Sequence, residues 1–139
     1  MADLRIQSVY ETVLYAPDPR TAAEFYRDAL GLEQLEDPDD LSAVFRLAAG
    51  QVLLIFNPEL SSRPGRRVPS HGTAGPGHVA FAIEAGAYED VLGRLREKGI
   101  EIEREIDWGR GRSVYFRDPA GNSVELVDGD IWPPSGVRS

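Results

Sequence analysis

Apolar and polar positions set out the chain's elements before any chemistry is considered. The strand pattern at about Ser8 to Ala16 leads into Pro17-Asp18-Pro19, where Asp18 is a natural N-cap and Pro19 suits a first helical turn. Ala22, Ala23, Phe25, Tyr26, Ala29 and Leu30 then recur at helical spacing, and Gly31 supplies the stop. Three short strands are predicted next, near Leu32 to Leu35, Leu41 to Leu47 and Gln51 to Phe56. Pro38-Asp39-Asp40 and Ala49-Gly50 are the turns between them.

The same order of signals returns in the second half. A strand is expected from about His78 to Glu84 and a helix from Ala87 to Lys98, with Tyr88, Val91, Leu92 and Leu95 on one face and Gly99 at its end. Strands then fit Ile100 to Ile106, Ser113 to Phe116 and Asn122 to Val127, the last two joined by Asp118-Pro119-Ala120-Gly121. The chain therefore reads as a tandem βαβββ duplication within a single domain, residues 1–139, with modules at about 6–57 and 77–128. The linker 58–76 is rich in Pro, Ser, Gly and Arg, and loops of that length in compact domains are often functional. The tail 128–139 holds Trp132-Pro133-Pro134 without periodicity, and two roles stay open for it, packing over an opening or onto a partner subunit.

Within this pattern, three strands carry a side chain that does not belong in an apolar layer: Glu11, His78 and Glu125. A carboxylate on a buried sheet face is costly unless it is paired or bound to a metal. Glu11 and His78 occupy near-equivalent places in the two halves. Strand alternation puts Val9, Glu11, Val13 and Tyr15 on one face, and His78 with the small Ala80 and Ala82 on another. Ser123, Glu125 and Val127 share a face in the last strand. A curved sheet with helices outside and a polar-lined cavity inside accounts for this arrangement.

Composition narrows the partners. The 139 residues are 42% hydrophobic, enough for a domain with a real core. No apolar run approaches the roughly 20 residues a membrane span needs. A formal net charge of −8 argues against nucleic acid, whose phosphates are met by lysine and arginine, so a small molecule is the expected partner. The absence of cysteine excludes thiolate metal sites and accords with a cytoplasmic location, as does a start without a secretion-signal layout.

The stretches Glu11-Thr12-Val13-Leu14-Tyr15-Ala16-Pro17-Asp18 and Phe25-Tyr26-Arg27-Asp28-Ala29-Leu30-Gly31-Leu32 resemble the opening of the vicinal oxygen chelate superfamily. Gly77-His78-Val79-Ala80-Phe81 and Tyr115-Phe116-Arg117-Asp118-Pro119-Ala120-Gly121-Asn122-Ser123-Val124-Glu125-Leu126 match its second module. That group includes glyoxalase I, bleomycin and fosfomycin resistance proteins, methylmalonyl-CoA epimerase and extradiol dioxygenases. The resemblance implies an α+β fold in which tandem βαβββ modules form a curled mixed sheet around a cavity, helices outside. It also implies a divalent metal held by Glu11, His78 and Glu125, and a homodimer. Two departures bear on activity. The first-strand ligand is usually histidine, and the fourth ligand of glyoxalase-type members falls at Leu53 or Leu54, neither of which coordinates. The resemblance therefore points to the dioxygenase or fosfomycin-resistance arrangement rather than to glyoxalase I.

One imidazole and two carboxylates favour Fe²⁺ or Mn²⁺, with Zn²⁺ or Ni²⁺ as alternatives. The expected function is a metal-dependent enzyme that chelates a small oxygenated substrate, aromatic ones included, for dioxygenase-like or lyase/isomerase-like chemistry. Glu11 or Glu125 would serve as base, and Tyr115 would assist. Tyr15, Phe56, His71, Trp108, Arg112 and Ser113 are candidates for substrate contact. Ordinary structural roles compete for each: a satisfied strand histidine for His78, a solvent-facing strand end for Glu11, core packing for the aromatics and solvation for the arginine. The competing function is a metal-free protein that sequesters a drug or metabolite, of the bleomycin-resistance type.

Overall fold

The computed structural model describes residues 4–133. The chain falls into two compact units that divide between Ala74 and Gly75. In the first, strand β1 (Glu11–Tyr15) leads to helix α1 (Pro19–Glu24). Asp18 caps that helix by accepting from the Arg20 N–H at 3.1 Å and the Thr21 hydroxyl at 2.7 Å. The helix then widens into a π-helical turn over Phe25–Ala29, in which the Leu30 N–H reaches back to the Phe25 carbonyl. Gly31 ends it at φ 71°, a conformation that side chains disfavour.

Strands β2 (Glu33–Gln34), β3 (Ser42–Arg46) and β4 (Val52–Phe56) complete a mixed sheet of order β1-β4-β3-β2. Parallel pairing of β1 with β4 sets Glu11 opposite Val52 and Tyr15 opposite Phe56. Leu14, Ala43, Phe45, Leu53 and Ile55 are buried, as are Ala22, Ala23 and Tyr26, and the Tyr26 ring lies 6.0 Å from that of Phe45. Each large apolar side chain so buried contributes about 1.5–3 kcal/mol. After β4, a short helix α2 (Pro58–Ser61) lies in what the sequence reading treats as plain linker. Asn57 caps it by accepting from the Glu59 N–H at 3.0 Å.

The second unit repeats the plan. Strand β5 (His78–Ala82), helix α3 (Tyr88–Glu97) and strands β6 (Arg104–Asp107), β7 (Gly111–Arg117) and β8 (Ser123–Gly129) give a mixed sheet of order β5-β8-β7-β6. Helix α3 ends at Gly99, φ 74°. Val79, Val114, Phe116, Val124 and Leu126 form the buried face, and Tyr88, Leu92 and Leu95 are the buried side of α3. The β7–β8 turn is built by Asp118, whose Oδ1 accepts from the N–H groups of Ala120 and Asn122 at 2.9 and 2.8 Å. The α+β class and the duplicated βαβββ order are as the sequence implies, with each module building a four-stranded sheet of its own. The strand expected at Ile100 to Ile106 starts later, at Arg104.

Candidate metal centre

The second unit gathers most of the chemistry. Its parallel pair β5–β8 places His78 opposite Ser123 and Ala80 opposite Glu125, so His78 and Glu125 sit on one face, one diagonal step apart. Two bonds fix the start of β5 on β8. The Gly77 N–H donates to Asn122 Oδ1 at 2.7 Å, and the Ser123 N–H donates to the Gly77 carbonyl at 2.9 Å.

His78 Nδ1 lies 3.1 Å from the Ser123 carbonyl. A carbonyl only accepts, so Nδ1 carries a proton and the other ring nitrogen, Nε2, is left to face Glu125. That nitrogen is 3.3 Å from Glu125 Oε1. Two electron-rich atoms at this separation are held together by a positive charge, either a second proton or a cation. The carboxylate is 7% exposed and the imidazole 51% exposed, so the pair has a buried floor and an open side.

The other Glu125 oxygen is spoken for. Ser113 donates its hydroxyl to Oε2 at 2.6 Å and accepts the Trp108 indole N–H at 2.9 Å. Tyr115 lies nearly parallel to the His78 ring, 6.4 Å between centroids and 21° between planes. Burial first, then the hydrogen bond and charge of Glu125, raise its phenol pKa above the ordinary value. These five side chains surround or underlie a cavity of about 480 Å³, and His78, Tyr115, Glu125 and Trp108 form part of its wall. Ala80 and Ala82 leave the room, as their small size implies.

The remaining candidates belong to the first unit or to the opposite face of β7. Glu11 is exposed on β1 of the first unit. Tyr15, Phe56 and His71 meet in that unit: the Tyr15 hydroxyl is 2.7 Å from His71 Nδ1, and the imidazole stands edge-on to Phe56 at 4.7 Å. Arg66 adds its guanidinium over Phe56 at 5.7 Å. Arg112 is directed to the helix side, 4.0 Å above the Tyr88 ring and 3.0 Å from Glu89, because alternation on β7 opposes it to Ser113 and Tyr115. Asn122 and Ile131 are not singled out as site residues by the sequence, and Trp132 enters it only within a tail that packs over an opening or onto a partner subunit. The Asn in the turn-to-strand step Gly121-Asn122-Ser123 is the one signal that would find the first of them.

Among the described residues no group of three or more His, Cys, Asp or Glu side chains is placed to hold a metal. His78 and Glu125 nonetheless fit a divalent ion as two of its ligands. The Nε2 lone pair is presented by a bond at Nδ1, and the carboxylate is oriented by Ser113, which is the outer support that metal-binding imidazoles and carboxylates usually have. Every buried side-chain polar atom among the described residues has a partner.

Comparison with known proteins identifies relatives of the whole chain. The lactoylglutathione lyase structure from Agrobacterium tumefaciens is 37% identical, covers 93% of this chain and 98% of its own, and superposes with a TM-score of 0.86. The metallothiol transferase FosB of Staphylococcus saprophyticus is 30% identical over 91% of this chain and 80% of its own length. Biphenyl-2,3-diol 1,2-dioxygenase 3 of Rhodococcus globerulus is 32% identical over 74% of this chain, which spans about half, 53%, of that enzyme. The relatives thus include a dioxygenase, a lyase and a metal-named transferase. The family model matches residues 8–126, and the chain belongs to the Glyoxalase/Bleomycin resistance protein/Dioxygenase superfamily.

Proposed function

We propose that this protein is a metal-dependent enzyme acting on a small molecule with two adjacent oxygens. The observation that carries the reading is the His78–Glu125 pair, 3.3 Å apart on the wall of a 480 Å³ cavity. His78 and Glu125 would hold a divalent ion, Fe²⁺ or Mn²⁺ first among the candidates; bound there, it would act as Lewis acid and template for the substrate oxygens. Ser113 keeps the carboxylate aimed. Tyr115, whose phenol pKa is raised by burial and by its hydrogen bond to Glu125, would steady that carboxylate beside Ser113 rather than act as a base. Oxygen-dependent cleavage of an aromatic diol is the leading chemistry, because the donor pair adjoins an aromatic wall. A redox-neutral lyase or isomerase reaction is the second reading, favoured by the 37% identity to a structure named as a lyase.

Metal content measured by elemental mass spectrometry on wild type, His78→Ala, Glu125→Ala and Glu11→Ala tests the reading. Near-stoichiometric metal in wild type, lost in the first two variants, is the expected result. Loss in Glu11→Ala adds that residue to the ligand set, and retention limits the set to the other two. A wild type that takes up no divalent ion after reconstitution overturns the enzyme reading in favour of a sequestering pocket. An oxygen electrode then separates ring cleavage from redox-neutral turnover.

A further inference from the structure

The chain has two tryptophans, and both line the cavity that holds His78 and Glu125. Trp108 sits in the turn between β6 and β7, 45% exposed although its indole N–H is committed to Ser113. Trp132 lies beyond β8 and is 74% exposed. Large aromatic surface left open to water beside a cavity is costly unless a ligand covers it.

Residues 128–132 are held in place by the chain itself. Arg110 donates from Nη1 to the Trp132 carbonyl at 2.7 Å, and the Trp132 N–H donates to Asp130 at 3.2 Å. Gly111 faces Gly129 across the β7–β8 ladder. A Cβ on Gly111 would lie 2.6 Å from the Asp128 carbonyl and 3.0 Å from the Ile131 side chain. Only glycine lets the tail approach the 108–111 turn so closely. The result is a wall of Ile131 and Trp132 tied to the same turn that carries Trp108.

We infer that Trp108 and Trp132 form the seat for a planar ring, so that the substrate class is a flat aromatic molecule whose adjacent oxygens point to His78 and Glu125. The inference rests on the functional reading above and adds a specificity role for the tail. Indole faces favour flat π-systems over puckered rings of equal polarity, and the Arg110 clasp presets the seat before binding.

The probes are 2,3-dihydroxynaphthalene, which is planar, and trans-1,2-cyclohexanediol, which offers adjacent oxygens on a puckered ring. Both are titrated by calorimetry into zinc-loaded protein, with indole fluorescence as a second readout. Wild type is expected to bind the naphthalenediol with quenching and to bind the cyclohexanediol at least about tenfold more weakly. Trp132→Ala and Arg110→Ala, both at exposed positions, should each lose about tenfold or more for the planar probe while retaining metal. Trp108→Phe keeps a ring and should keep most of the affinity.

Unchanged planar-probe affinity in Trp132→Ala, with metal retained, overturns this inference and leaves the metal reading standing. Planar-probe binding to wild type that is unchanged by metal removal shows that the probe's oxygens do not meet the metal and overturns this inference, whereas failure of the wild type to take up zinc overturns the metal reading. A changed sedimentation coefficient in Trp132→Ala without a change in probe affinity would assign that indole to a protein contact and also overturn the seat.

Discussion

The Ser113 hydroxyl donates to Glu125 Oε2 at 2.6 Å, the shortest link in a chain that begins at the Trp108 indole 2.9 Å away. Ser113 is fully buried, so no water replaces it when it is removed. Ser113→Ala should therefore lower metal affinity by about 10–100-fold and destabilise the fold by about 1–3 kcal/mol. Competition with a chromogenic chelator measures the first and urea unfolding the second. Wild-type metal affinity in a folded Ser113→Ala protein would show that the carboxylate needs no aiming.

Asn122 joins the β7–β8 turn to the start of β5. Its amide donates to Asp118 Oδ2 at 3.0 Å and its carbonyl accepts the Gly77 N–H at 2.7 Å. Asn122→Ala should cost about 1–3 kcal/mol through the polar groups it strands. The backbone amides of Gly77 and His78 should also exchange hydrogen faster than in wild type. Unaltered exchange there would mean that the β5–β8 ladder alone positions His78.

In the first unit, His71 ties the linker to the sheet through Tyr15, with Ser61 donating to the His71 carbonyl at 2.7 Å. Tyr15→Phe should release one part-buried hydrogen bond, about 0.5–1.5 kcal/mol. Local opening of the linker would rise about threefold to tenfold. Tryptic cleavage after Arg66 and Arg67 reads that opening, and a cleavage rate equal to wild type would count against the tie.

Tyr88 gives a pH prediction. Burial, then the hydrogen bond to Glu105 at 2.8 Å and its charge, push the phenol from 10 to about 12. Below pH 10 folded and unfolded chains are both protonated at this site, and its contribution is complete. As pH rises from 10 toward 12 the unfolded chain releases a proton that the folded one keeps, so stability is lost. Tyr88→Phe should flatten that alkaline decline in the urea midpoint. A decline as steep as in wild type would place its origin in another group.

Much of this was legible from residue order. The N-cap at Asp18, the stops at Gly31 and Gly99 and the Asp118 turn are local chemistry, and local chemistry is what a sequence displays. Alternation also puts His78, Ser113, Tyr115 and Glu125 on compatible faces. Applied strictly, the same rule separates Arg112 from Ser113, and the structure has Arg112 on Tyr88 and Glu89. The π-helical turn at Phe25–Ala29 left no mark, since its apolar spacing passes for an α-helix. Asn57-Pro58-Glu59 carries a readable cap and first-turn proline, hidden by the Pro- and Ser-rich composition around it. Trp132 depends on a backbone approach between Gly111 and Gly129, and no periodicity encodes a contact of that kind.

The two copies of the module have parted in what they do with the same surface. In the first, Phe56 is already covered by the linker's own His71 and Arg66, so that face comes furnished with an internal ligand. In the second, the matching face stays open beside His78. Of the two corresponding faces, one is thus filled by its own polypeptide. Shortening the chain between Ser62 and Gly72 would empty that face, giving an engineer a second receptor in the same molecule without touching the first.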